Sequence, residues 1–272
     1  MVEYNLKDLH ARMLEILCVI DRVCREHNLR YYIIAGTMLG AVRHKGFIPW
    51  DDDADVCMPH KDYDMLISHW REWMPERYEM ICGENESHYP QPFAKIQDAH
   101  TTLIEHAHLR YVGGVYVDVF PVDGMPDSRL RQRLRVNKYK WLCKLLYFTY
   151  RDPYRHGHGP SSWIPLLCRR LFTVEGLQRS IRRHLLKYDF DSSRYVLCFD
   201  DGFRSIVTKD VYGKPTPYMF EGRTLLGVEK YDEMLTKMYG NYMTPPPKGT
   251  EFQHNFYYLD LDKPYREMKN DE

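Results

Sequence analysis

Residues 31–58 read YYIIAGTMLGAVRHKGFIPWDDDADVCM, and the rest of the chain is organised around this stretch. Tyr31 to Ala35 is an apolar strand candidate that breaks at Gly36-Thr37, where Thr37 is placed to cap a short helix through Met38, Leu39, Ala41 and Val42. Strand, tight turn and helix start are expected in that order. Gly36 lets the backbone approach a ligand closely, and the unpaired N–H groups of a helix start suit a phosphate. Four carboxylates in five residues follow: Asp51, Asp52, Asp53 and Asp55. Strand alternation sets Asp51, Asp53 and Asp55 on one face and turns Asp52 to the other, so Asp52→Asn is expected to retain most activity. Three carboxylates on one face repel unless a cation lies among them, and hard oxygen donors suit Mg²⁺. A phosphate cradle beside a divalent cation is the arrangement that phosphoryl or nucleotidyl transfer requires. The alternatives are a solvated acidic turn and a structural Ca²⁺ loop, although the glycine at the sixth position of an EF-hand loop is absent.

Two later segments bear on the same site. In VYVDVFPVDG, residues 115–124, Asp118 sits in mid-strand, where a carboxylate is costly to bury unless something cationic faces it. Asp123, beside Gly124 and Pro126, reads as a turn residue. In FAKIQD, residues 93–98, Lys95 is a poor core residue unless its ammonium meets an anion; an edge-strand lysine in water is the alternative.

Residues 31–58 resemble the signature of the LicD family, in which an apolar strand and a Gly-Thr turn precede an IPWDDD-x-D run. FAKIQDAHTT, the D-x-F-P-x-D phrase around Asp118 and YDEMLTKMYGNYMTPPP followed by His254 extend the resemblance over roughly residues 5–256. The family is known for phosphorylcholine transferases and is related to fukutin-type proteins within the DNA polymerase beta-like nucleotidyltransferase superfamily. The resemblance implies an α/β fold with a mixed sheet and a nucleotidyltransferase-like core. It implies that Asp53, Asp55 and Asp118 are the catalytic carboxylates, holding Mg²⁺ together with Asp51; two ions are envisaged, and Mn²⁺ would substitute. Gly36, Thr37, Arg43, Lys45 and Lys95 would bind the substrate phosphates. The implied reaction moves phosphocholine or a similar phospho-alcohol from a CDP-activated donor to a hydroxyl of a glycan or lipid-linked glycan, with CMP released. Phosphoethanolamine, ribitol phosphate or a sugar phosphate is the alternative cargo, and a non-catalytic nucleotide- or glycan-binding protein the alternative class.

The chain has 272 residues, 44% of them hydrophobic, enough for a sizeable core. Its charged N-terminal stretch reads as no signal peptide, and no run is apolar enough to suggest a spanning helix. Seven cysteines without C-x-x-C spacing suit reduced thiols and a cytoplasmic location. A formal net charge of zero argues against nucleic acid as a partner, yet it hides an asymmetry. Residues 129–187 carry 15 Lys and Arg against Asp152 and Glu175 alone, an excess of +13.

Apolar periodicity predicts helices over 5–26, after Pro59, within the basic segment and over 229–239. Strands are expected at 78–82, 93–97 and 101–105, all extending one sheet, then at 195–199 and in a hairpin with Glu221-Gly222-Arg223 at its tip. The expected organisation is a core of residues 1–126 and 191–256, a basic helical insert over 127–190, and a loose tail over 257–272. The insert, with aromatics among its cations, suits peripheral contact with an anionic membrane or an anionic acceptor, or is a solvated face.

Overall fold

In the computed structural model, which describes residues 4–109, 111–247, 249–250, 253–254 and 256–270, the periodic residues Leu9, Met13, Ile16, Ile20 and Val23 form the buried face of helix α1 (Leu6–Glu26). Asn5 caps it by accepting the Lys7 N–H. The chain continues through β1 (Tyr32–Ile33), α2 (Ala35–Arg43), β2 (Asp55–Pro59), α3 (His60–Trp73), β3 (Tyr78–Ile81), β4 (Ala94–Asp98), β5 (Thr102–Ile104) and β6 (Tyr116–Met125). Helices α4 (Arg129–Tyr150), α5 (Pro160–Leu171) and α6 (Val174–Leu185) follow. Last come β7 (Tyr195–Cys198), β8 (Val207–Thr208), α7 (Lys209–Tyr212), β9 (Thr216–Phe220), β10 (Arg223–Gly227), α8 (Tyr231–Tyr239), β11 (Tyr258–Asp260) and α9 (Tyr265–Asn270).

The architecture is mixed α/β. One sheet has the order β3-β4-β6-β2-β1-β10-β9, with β7 on the far end of β6 and β8 beyond it. The β2–β6 and β1–β10 pairs are parallel, and the other pairs of this sheet antiparallel. Strand β6 is the spine: all ten residues are buried, and it pairs with β2, β4 and β7. A strand covered on both faces favours β-branched residues, which explains Val117, Val119 and Val122. One face packs Val56, Met58, Ile96, Val117 and Val119 against α1. The other buries Cys57, Phe120 and Val122 with Val196, Tyr212 and Met234. Helices α4 and α6 build a further core from Val136, Tyr139, Leu142, Leu177 and Ile181, closed by Met125, Leu197 and Phe199.

Four sequence expectations are corrected. Strand β5 leaves the main sheet and pairs with β11, so three of the residues taken for a loose tail lie in a ladder, Tyr258 opposite Ile104, Leu259 opposite Leu103 and Asp260 opposite Thr102; α9 follows it. Thr37 does not cap α2, which starts earlier, at Ala35, with Ile34 before it. The Thr37 hydroxyl instead accepts the Asp55 N–H at 2.8 Å, tying α2 to the start of β2. Asp123 is no turn residue: it lies buried in β6, where His60 Nδ1 meets its carboxylate at 2.9 Å. The expected hairpin is found as β9 and β10, and its two-residue loop has positive φ at Glu221 and Gly222, the conformation that suits the strand twist.

Candidate active site

A cavity of about 540 Å³ opens over the start of β2 and the middle of β6. Residues 51–54 precede β2 rather than belonging to it, yet the alternation holds: Asp51, Asp53 and Asp55 line the cavity. Asp52 points away, 2% exposed. Asp118 joins them because parallel pairing sets it opposite Asp55 on the neighbouring strand, and antiparallel pairing sets Lys95 of β4 on its other side. Strands lie about 4.8 Å apart. Three sequence-distant residues are therefore side by side, and Gly36 lines the same space.

Crowding buried carboxylates disfavours their charged form, first by desolvation and then by mutual repulsion. Burial and then the charge of Asp53 push Asp51 up to about 8. Burial raises Asp118 to about 7, although Lys95 opposes the rise. Asp55 is driven well above the usual carboxylate range by burial and by Asp53 and Asp118, and Asp53 is raised by burial.

Lys95, 3% exposed, finds its anions within the protein. Its ammonium pairs with Glu105, stands 3.2 Å from Asp118 Oδ1 and lies 3.1 Å above the centroid of the Tyr116 ring. Burial opposes its charge, but Asp118 and Glu105 outweigh that and raise its pKa. Lys95 thus holds Asp118 and Glu105 in place. Asp118 Oδ1 is itself buried, and the Lys95 ammonium is its counter-charge.

Arg43, Lys45 and Thr37 do not line the cavity. The Arg43 guanidinium donates to the Tyr242 carbonyl at 2.9 Å and packs on Trp50. Lys45 is an exposed turn residue with φ +61, its carbonyl accepting from Glu221 N. The resemblance placed these cations by motif, but Arg43 ends α2 and Lys45 lies two residues beyond it, and neither is among the residues lining the cavity.

The cavity also recruits Glu105, Asp200, Asp201, Arg204 and Tyr239, which the sequence did not single out, and His254, which the resemblance included without giving it a role. Burial and the neighbouring Asp200 push Asp201 up to about 6. Arg204 lies 3.8 Å from it in a 3-10 turn, Gly202–Ser205. Asp200-Asp201-Gly202, directly after the strand expected at 195–199, is the available signal, and such a run has the composition of an ordinary turn. His254 is seated by Asp52, which accepts its backbone N–H at 2.9 Å, meets its Nδ1 at 2.8 Å and accepts the Tyr4 hydroxyl at 2.8 Å. Against the burial that opposes it, these hydrogen bonds hold Asp52 below the usual carboxylate range. The Asp52 hydrogen bond lifts His254 to about 9 despite partial burial, and its Nε2 faces Asp53 at 3.7 Å.

Among the described residues, no group of three His, Cys, Asp or Glu side chains is arranged to hold a metal ion as it stands. The chemistry of the cavity nevertheless fits a hard divalent cation. Its donors are carboxylate oxygens, and the raised carboxylate pKa values reflect burial and a crowding that positive charge would relieve. Asp51, Asp53, Asp55 and Asp118, which line the cavity, are the residues that would hold such an ion.

Residues 28–133 match the family model described as LicD/FKTN/FKRP, nucleotidyltransferase domain. This stretch of the chain is similar to the LicD-family domain. The chain is also 27% identical to the lipopolysaccharide cholinephosphotransferase LicD of Haemophilus influenzae, over 94% of this chain and 97% of that protein. An uncharacterized protein of Rickettsia typhi is 37% identical over 70 residues, 22% of this chain and 21% of its own length. Another, of Rickettsia prowazekii, is 54% identical over 37 residues, 14% of each. The matched segment contains Gly36, the Asp51–Asp55 run, Lys95, Glu105 and Asp118, whereas Asp201, Arg204 and His254 reach the cavity from beyond it.

Proposed function

We propose that this protein is a Mg²⁺-dependent phosphotransferase that moves phosphocholine from CDP-choline to a hydroxyl of a glycan, releasing CMP. The observation that carries the reading is the meeting of Asp53, Asp55 and Asp118 in one cavity, in a chain similar along nearly its whole length to a lipopolysaccharide cholinephosphotransferase. We place it in the cytoplasm, on a nucleotidyltransferase-like core interrupted by α4–α6.

Bound Mg²⁺, held by Asp51, Asp53, Asp55 and Asp118, would neutralise charge on the donor phosphates. The chain's own groups do the rest. Gly36 leaves room at the first turn of α2: a Cβ there would meet Asp51 Oδ2 at 2.6 Å. Arg204 offers a cation to the donor. The acceptor oxygen attacks the phosphorus bearing the alcohol, the bond from that phosphorus to the bridging oxygen breaks, and CMP leaves with the electron pair. The Asp118 carboxylate takes the hydroxyl proton, since a base near neutrality is suited to that transfer. Lys95 fixes the orientation of Asp118 and keeps it from becoming more basic. His254, seated by Asp52, adds positive charge beside Asp53.

Choline is favoured over a polyol because Phe93, Phe120 and Tyr239 line the cavity and offer aromatic faces to a quaternary ammonium. Phe93 and Phe120 have ring centroids 4.3 Å apart. The test is a thermal-shift screen of CDP-choline, CDP-ethanolamine, CDP-ribitol and nucleotide sugars, with and without Mg²⁺, followed by assay of CMP release in the presence of glycan. Stabilisation and turnover with CDP-choline are expected. Preference for CDP-ribitol or a nucleotide sugar would transfer the assignment to that cargo.

A further inference from the structure

Helix α5 is amphipathic the wrong way round. At 100° per residue its buried positions, Ser162, Pro165 and Cys168, fall on one side, whereas Trp163, Ile164, Leu166, Leu167 and Leu171 fall on the other, 40–68% exposed. Arg170 is the one charged residue within that apolar arc. The helix cannot roll to hide it, because Arg169 on the packed side donates to the carbonyls of Thr149, Tyr150 and Arg151 at 3.0–3.1 Å and fixes α5 on the end of α4. Five large apolar side chains together on a surface mark a docking site.

We propose that α5 inserts its apolar face into the interface of an anionic bilayer. Charge selects this occupant. The segment holding α4–α6 carries an excess of +13, and the groove between α4 and α6 is lined by Arg131, Arg135, Lys138, Arg183 and Lys187 with no carboxylate among its lining residues. A second copy docking face to face would set this positive field against itself, whereas anionic headgroups match it. Trp163 has the amphipathic ring that concentrates at the headgroup level. At 12 residues α5 spans about 18 Å, too short to cross a bilayer but suited to lie in its surface. None of its residues lines the carboxylate cavity, so the proposal stands without any assumption about the reaction.

The test uses the full chain with vesicles of phosphatidylcholine alone and of phosphatidylcholine with phosphatidylglycerol, some carrying brominated acyl chains. Wild type should bind the anionic vesicles, lose tryptophan emission to bromine, and bind less as salt rises. Trp163→Glu combined with Leu167→Glu should keep its circular dichroism and weaken vesicle binding by at least about tenfold, through lost apolar burial and added charge repulsion. Trp163→Phe should still bind but lose most of the bromine quenching. The proposal is overturned by equal binding of wild type and the double variant, by unchanged quenching in Trp163→Phe, or by no vesicle binding. It is overturned equally by a concentration-dependent dimer that the double variant abolishes, since a second copy would then be what covers this face.

Discussion

Replacing Asp52 by Asn tests whether a carboxylate that points away from the cavity still shapes it. Asp52 accepts from the backbone and ring of His254 and from Tyr4, so it anchors a residue more than 200 positions later in the chain. His254 rises from an ordinary 6.5 to about 9, first through that hydrogen bond. At about 1.36 kcal/mol per pH unit the displacement corresponds nominally to about 3.4 kcal/mol. Two-fifths of the His254 side chain is exposed, and solvent screening leaves about 1–2 kcal/mol. A raised histidine pKa stabilises the fold fully below pH 6.5 and loses that contribution as pH climbs through 9. Asp52 is lowered, so its share is present above its ordinary 3.8 and disappears on acidification. The pair therefore contributes most between roughly pH 4 and 6.5. Asn keeps an oxygen for one N–H but has no charge. In urea unfolding at pH 6 and pH 9.5, wild type should lose about 1–2 kcal/mol more than Asp52→Asn between the two conditions. Parallel losses would refute the reasoning and leave Asp52 as an ordinary buried hydrogen-bond acceptor.

Asp53→Asn and Asp118→Asn should each lower CMP release at least about a hundredfold with circular dichroism unchanged; loss at only one position would argue against a shared site. Protons held by Asp51 at about 8 and Asp118 at about 7 must leave before a cation binds. Mg²⁺ affinity should therefore rise from pH 6 to 8, and calorimetry in buffers of different ionisation heat should register proton release; affinity flat over that range would contradict the shifted values. Gly36→Ala places a Cβ 2.6 Å from the mobile end of Asp51, so stability should fall by less than about 1 kcal/mol while Mg²⁺ affinity drops. Gly114→Ala instead meets the Asp98 carbonyl at 2.0 Å, where backbone must move, and should cost about 2 kcal/mol or more in urea unfolding.

What the sequence disclosed is what short-range patterning encodes. The steps from Leu9 to Val23 and the Asp51–Asp55 run each carry their meaning within about fifteen residues, and each is found as read. Asp118 was legible because a carboxylate in mid-strand is costly unless a counter-charge faces it, and the counter-charge is Lys95 on the adjacent strand. The same reasoning, applied to Asp123, would have found His60; the nearby Gly124 and Pro126 pulled that residue toward a turn, although the strand continues to Met125.

The illegible part of the site is the part assembled by pairing at long range. Asp201 and Arg204 reach the cavity because β7 continues the ladder along β6. His254 reaches it because the chain after α8 crosses back to Asp52. Neither placement leaves a periodic trace, since a turn and an irregular segment have none. Asp52 is the residue where local and distant rules meet. Alternation predicted that it would look away from the carboxylate face, which it does, but a buried charge must be satisfied, and the groups that satisfy it are Tyr4 and His254. An aspartate turned out of an acidic face is thus informative in its own right: it requires donors on the side opposite the site, and here those donors deliver a histidine to within 3.7 Å of Asp53.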